Sequence, residues 1–211
     1  MTAELIPTHP SPFITVLSQA ATAFQGKGSD RPTAASVVEA LLQAEKTTKR
    51  AHQSYPFESL LGNWQLCFAT GTRKVRRGGI VLGNGFYVPK LAVAQISFQA
   101  ESDAVALGHG AIGNQVEMGP VRLRFTGPAH YLGKKTLLAF DFTYVQLSVL
   151  GKTAYNGPVP GRRVQAEDFY SQSIVDLPFF AFFLVTPNFI AARGRGGGLA
   201  LWVKTQQTTD H

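Results

Sequence analysis

Gly62-Asn63-Trp64-Gln65-Leu66-Cys67-Phe68-Ala69-Thr70-Gly71 sets Trp64, Leu66 and Phe68 against Gln65, Cys67 and Ala69 in alternation. A period of two marks a strand with one buried face, and glycines bracket it at both ends. Upstream, apolar residues recur at helical spacing. Downstream, short strand-like segments follow at the spacing of an all-β sandwich or barrel. The stretch therefore reads as the first strand of a closed or nearly closed antiparallel sheet.

Upstream, Ser11 suits a helix N-cap and Pro12 the first helical position. Phe13, Ile14, Leu17, Ala20, Ala21 and Phe24 form a buried stripe, and Gly26 and Gly28 end the helix. A second helix starts at Asp30 or Thr33 and buries Val37, Val38, Leu41 and Leu42. Lys46, Lys49 and Arg50 near its end complement the dipole. Residues 1–60 thus form a helical segment packed on a barrel of residues 61–205, with 206–211 a polar tail.

Downstream, the strand candidates are Ile80–Leu82, Gly85–Val88, Leu91–Glu101, Ala104–Leu107, Gln115–Glu117 and Val121–Phe125. Arg122 and Arg124 alternate with Val121, Leu123 and Phe125, which places both arginines on one face. Outside in water is the default, with the apolar set filling the interior. Leu137–Leu150 reads as one long strand: Phe140, Phe142 and Tyr144 share one parity, Val145, Leu147 and Val149 the other, and a bulge explains the switch. Asp141 reads as a solvated or edge-paired carboxylate. Gly151–Gln165 reads as loop. The rings of Phe179, Phe180, Phe182 and Phe183 cannot share one core: the segment is buried on both sides, or some rings face a membrane or partner. Phe189–Val203 reads as a hairpin around a Gly-rich turn, its last strand closing the sheet against the first.

Fifteen Phe against two Met point to an aromatic core. The net charge is +7, and the whole excess lies beyond residue 60, since residues 1–60 hold five basic and five acidic side chains. Such a basic face suits anionic lipid headgroups, nucleic acid or acidic proteins. Arg73-Lys74-Val75-Arg76-Arg77 is an exposed hairpin tip or a contact for anionic headgroups. One cysteine, Cys67, excludes disulfide scaffolds and cysteine-rich metal sites. The chain shows no signal-peptide pattern and no apolar run long enough to span a bilayer as a helix, so it is expected to be soluble or peripheral.

The chemistry of an enzyme is not apparent. None of the five histidines pairs at i, i+4, and no His/Cys/carboxylate spacing suits a metal. A nucleophile elbow and a Walker A loop are absent. Cys67 reads as a packed thiol. Arg193-Gly194-Arg195-Gly196-Gly197-Gly198 looks like an RNA-binding tract, but it lies between two apolar strands and reads as a turn, so no nucleic-acid partner is expected.

Gly62-x-Trp64 after an N-terminal helix, opening a run of short strands, resembles the lipocalin-type signature. The fuller pattern resembles the fibrillin, or plastid-lipid-associated, family of plastids and cyanobacteria. Leu42-Gln43-Ala44-Glu45 matches its Leu-x-Glu-like helix end. Leu60 to Thr70 matches Leu-x-Gly-x-Trp-x-Leu-x-Tyr/Phe-x-Thr, and Arg193-Gly194-Arg195-Gly196-Gly197 matches Arg-Gly-x-x-Gly. The likeness spans roughly residues 33–204, with its specific matches at the two ends. It departs where the family has an acidic residue and a further arginine, near Thr186 and Ile190.

The resemblance implies a mainly β fold, a lipocalin-like antiparallel β-barrel with N-terminal helices. It also implies non-enzymatic binding of a carotenoid, quinone or similar isoprenoid, a photoprotective role, and a place at the thylakoid membrane of a cyanobacterium, or in a plastid if the source is eukaryotic. No cofactor beyond such a bound lipid is expected. Leu66, Phe68, Leu123, Phe125, Phe140, Phe142 and Tyr144 are the expected cavity lining. Arg73, Lys74, Arg76 and Arg77 would meet headgroups at the mouth. Arg193, or alternatively Arg195, would stack on Trp64 and close the barrel's bottom, within cation–π range of about 6 Å. A bilin-handling lyase or chaperone is one rival and would need Arg122, Arg124 and Asp141 inside. A scaffold docking through the Phe179–Phe183 cluster is the other. An interior filled by its own side chains would replace the carrier role with a structural one at a membrane surface.

Overall fold

A computed structural model describes residues 11–27, 30–74, 80–89, 91–161 and 169–205. Arg76 and Arg77, both chain ends and the Arg162-Arg163 turn lie outside the described residues. Helix α1 (Pro12–Phe24) begins with Pro12 after Ser11 and buries Leu17, Ala20 and Ala21. Helix α2 (Ala34–Ala51) starts at Thr33, whose side chain accepts a hydrogen bond from the Ser36 amide at 3.2 Å. It buries Val37, Ala40, Leu41 and Ala44 and ends at His52 in the left-handed region. A 3₁₀ turn, Phe57–Leu60, then leads into the sheet.

The strands are β1 (Gly62–Ala69), β2 (Thr72–Lys74), β3 (Ile80–Leu82), β4 (Phe86–Tyr87), β5 (Ala92–Gln99), β6 (His109–Met118), β7 (Val121–Leu132), β8 (Leu137–Phe140), β9 (Tyr144–Val149), β10 (Lys152–Pro158), β11 (Phe179–Val185), β12 (Phe189–Gly194) and β13 (Leu199–Lys204). A four-residue helix α3 (Ser102–Val105) precedes β6. Eight strands close an antiparallel ring in the order β1, β5, β6, β7, β8, β11, β12, β13, and β13 pairs back with β1. The chain is mainly β, a lipocalin-like barrel with N-terminal helices.

Two main cores result. Inside the barrel, Trp64, Ile96, Phe98, Ile112, Tyr131, Leu138, Phe140, Phe182, Ile190 and Trp202 pack together, so the interior expected to hold a ligand is filled by its own side chains. Outside, α1 and α2 cover Cys67, Phe68, Phe183, Leu184, Leu201 and Val203. A small third cluster joins Phe169 and Leu177 to Ala139 on the outer wall.

Strand β7 belongs to two structures. Ala129–Leu132 pairs with β8 inside the ring, whereas Val121–Thr126 pairs with β9 beyond it. The β5–β6–β7 sheet, extended by β9 and β10, therefore projects from one end of the barrel as a five-stranded wing. Gly127 marks the branch: a Cβ there would lie 1.8 Å from the Asp141 carbonyl oxygen.

Several expectations need correction. Leu137–Leu150 is two strands broken at residues 141–143, because β8 stays in the barrel and β9 leaves with the wing. Ala104–Leu107 is helix and turn rather than strand. Lys152–Pro158, read as loop, is β10. The phenylalanine cluster is buried on both sides of β11, whose register shifts between Phe182 and Leu184. Phe182 meets Phe98 inside the barrel, Phe183 lies under the helices and Phe179 joins the third cluster.

Candidate functional site

One end of the barrel is shut by its own side chains. Trp64 is fully buried, and its indole N–H donates to the Leu60 carbonyl at 2.7 Å. The cation over its ring is neither Arg193 nor Arg195 but Lys204, at 4.3 Å from the centroid. Lys204 pairs directly with Trp64 across β1 and β13, and its ammonium also donates to the Leu61 carbonyl at 2.9 Å. The closure expected of Arg193 is thus made by a lysine one strand nearer.

Arg193 instead clamps the helical layer. Its Nε and Nη2 donate to the two carboxylate oxygens of Glu45 at 2.8 and 2.5 Å, and Nη1 donates to the Gly197 carbonyl. Lys49 reaches the same carboxylate at 3.0 Å. Burial pushes the Glu45 carboxyl up, but hydrogen bonds from Arg193 and Lys49 outweigh it and hold the group below its ordinary value. The two family-like ends of the sequence therefore meet, through Glu45 rather than Trp64. Arg195 donates to the Asp176 and Leu177 carbonyls.

The opposite end, the mouth, is also packed: Phe140 and Trp202 are each 6% exposed. Phe140, buried in the interior, stacks on Phe180 at 5.1 Å and leans on Phe142 at 5.2 Å. Phe142 touches Phe125 at 5.6 Å, and Phe180 meets Trp202 edge-on at 5.4 Å. Leu66, Phe125, Phe142 and Phe180 are half-buried. Five of the seven expected lining residues, Leu66, Leu123, Phe125, Phe140 and Phe142, thus lie on the interior face or its continuation.

Two do not. The register of β1 shifts between Leu66 and Phe68, so Cys67 and Phe68 both turn outward under the helices. Phe68 meets Tyr87 edge-on at 5.1 Å. Tyr144 pairs with Thr126 and so lies on the face opposite Phe125 and Val145.

The wing carries the interior face outward without a break in parity. Successive cross-strand rows are Ile96, Asn114, Phe125 and Val145; Ala94, Val116, Leu123 and Leu147; then Ala92, Met118, Val121 and Val149. The other face presents Gln95, Gln115, Glu117, Arg122, Arg124, Gln146 and Ser148. Arg122 ion-pairs with Glu117 at 2.5 Å there, and Arg124 is exposed. The arginines thus face outward as expected, which leaves a bilin's propionates without the inward cations that reading called for. Asp141 is buried rather than solvated.

Arg73 and Lys74 lie in β2, which leaves the barrel from the mouth end of β1. Cys67 is fully buried, and burial pushes its thiol up to about 12, as suits a packed side chain. At the shut end, His109 stacks on Tyr170 at 3.8 Å and meets His130 edge-on at 5.1 Å.

Sequence reasoning missed Lys204, the Glu45–Arg193 clamp and the wing. The wing had a signal: Leu147 and Val149 alternate with Gln146 and Ser148, in step with Leu123 and Val121 against Arg124 and Arg122. Comparison with protein-family models gives no match, and no curated protein matches the sequence.

Proposed function

We propose that this protein is a non-enzymatic binder of an apolar or amphipathic lipid, held at the barrel mouth and along the inner face of the wing. One observation carries the reading: the aromatic interior continues, with unbroken parity, onto a half-open apolar face backed by a polar one. The barrel interior is packed with its own side chains from one end to the other, which sets aside carriage inside the barrel, so the ligand lies against the rim and the exposed inner face of the wing. Burying an elongated hydrocarbon there contributes about 25 cal/mol per Å² of apolar surface removed from water. The resemblance to the fibrillin family supports an isoprenoid such as a carotenoid or quinone, at or near a photosynthetic membrane.

Trp202 reports on the site, because its ring touches Phe180 at the mouth. In a W64F background a bound quinone is expected to quench Trp202 emission saturably, and F125S with F142S to abolish the quenching. Native mass spectrometry of protein purified from its own lipids is expected to show one apolar adduct. No saturable quenching together with no adduct overturns the reading.

A further inference from the structure

The far edge of the wing exposes large apolar side chains that nothing in the barrel covers. Leu91 is 89% exposed, Leu150 78% and Met118 65%, with Val121 and Val149 close to 40%. They belong to three adjoining turns. The pairings Ala92 with Met118, Met118 with Val121 and Val121 with Val149 set them along one edge, and the Leu150 amide donates to the Pro120 carbonyl at 2.8 Å.

Leu150 is exposed at a conformational cost as well. It and Gly151 form a two-residue turn with φ of +51° and +77°. That is the pattern of a type I′ turn, where Asn-Gly is the favoured pair and a leucine is strained. A solvent turn selected for folding alone would carry asparagine.

Basic side chains lie beside the apolar tip. Arg122, its ion-pair partner Glu117 and Ser148 line a cavity of about 210 Å³ between the two turns, together with Pro120, Val121 and Leu150. Lys152 follows at once. The wing strands hold Arg122, Arg124 and Lys152 against Glu117 alone. Exposed apolar anchors with a net cationic excess on the strands behind them complement the headgroup and upper acyl layer of an anionic bilayer.

We propose that the wing tip inserts into an anionic lipid membrane, with Leu91, Met118 and Leu150 as anchors and Arg122 and Lys152 at the headgroups. The docking does not depend on the ligand reading, since the tip engages lipid whether or not the inner face is occupied. It also gives the inner face of the wing a direct approach from the acyl layer.

The test uses the full chain with vesicles of phosphatidylglycerol and phosphatidylcholine. Cys67 is buried, so the thiol introduced by L150C takes an environment-sensitive dye. A control dye goes at N156C, exposed on the polar face and roughly 13 Å back from the tip. The expected result is a blue shift at position 150 on adding vesicles and none at 156. Each anchor is worth about tenfold in partitioning, so L91S/M118S/L150N loses at least a hundredfold in vesicle flotation. L150N alone is expected to raise the melting temperature while weakening flotation, which separates membrane docking from folding. Replacing Lys152 by Gln costs about fivefold on anionic vesicles and nothing on pure phosphatidylcholine. A dye at 150 that stays wet at saturating vesicles overturns the proposal. So does a blue shift without vesicles accompanied by a dimer mass, which assigns the edge to a second copy of the chain.

Discussion

Replacing Arg193 by Met orphans Glu45. The Glu45 side chain is 9% exposed and that of Arg193 29%. Removing one partner of a buried ion pair costs about 3–5 kcal/mol. Two features lower that figure here: water reaches part of the guanidinium site, and Lys49, 72% exposed, still contacts the carboxylate. The expected loss is therefore roughly 2–3 kcal/mol, which moves a urea midpoint down by about 1 M for a slope near 2 kcal/mol per M. Equilibrium unfolding followed by fluorescence measures it. E45M/R193M restores most of the stability, because an apolar pair of similar volume leaves no uncompensated charge. The sign with pH follows from the carboxyl being held below its ordinary value. The stabilisation is fully present above the unfolded carboxyl pKa of about 4.3 and fades as the pH drops through the lower folded value. The gap between wild type and R193M should accordingly narrow below about pH 4. A loss under about 0.5 kcal/mol, or a double variant as unstable as the two single losses combined, refutes the clamp.

Gly127→Ala should block the branch from barrel to wing, since its Cβ would sit 1.8 Å from a backbone oxygen that cannot move independently. A cooperative melt at the wild-type temperature would show that the branch is built otherwise. His130 is held below the ordinary imidazole value, first by burial and then by His109. In an NMR titration H109N should raise it part of the way back, and an unchanged midpoint would remove His109 as a cause.

The opening strand, both helices, the closing hairpin and the barrel class were legible because each rests on a local pattern with one period. What the sequence hid were places where one strand serves two environments. In β1 the alternation of Trp64, Leu66 and Phe68 looks continuous, yet a register shift sends Phe68 under α2. Apolar residues bury on either side of this wall, so parity alone could not show it. Residues 137–150 look like one strand, but whether β7 keeps its partner or exchanges it at Gly127 depends on a close approach visible only in three dimensions. The pairing of Trp64 with a cation was readable in kind and misassigned in person. Lys204 sits opposite in register, and the guanidinium was already committed to Glu45.

The wing's composition argues against simple tolerance of surface hydrophobes. Its two faces derive from the same five strands and share the same turns and solvent, yet one carries Arg122, Arg124, Gln146 and Ser148 and the other Val121, Leu123, Val145 and Leu147. A hairpin that only projected into water would be stable and more soluble with polar residues on both faces. A face meant only for the barrel core would end where the ring ends, near Thr126. The apolar parity instead continues to the tip and finishes on a leucine held at positive φ, where it gains nothing from the fold. The same sheet that closes the barrel thus carries the interior's apolar chemistry out to an exposed tip, which the proposed bilayer would cover.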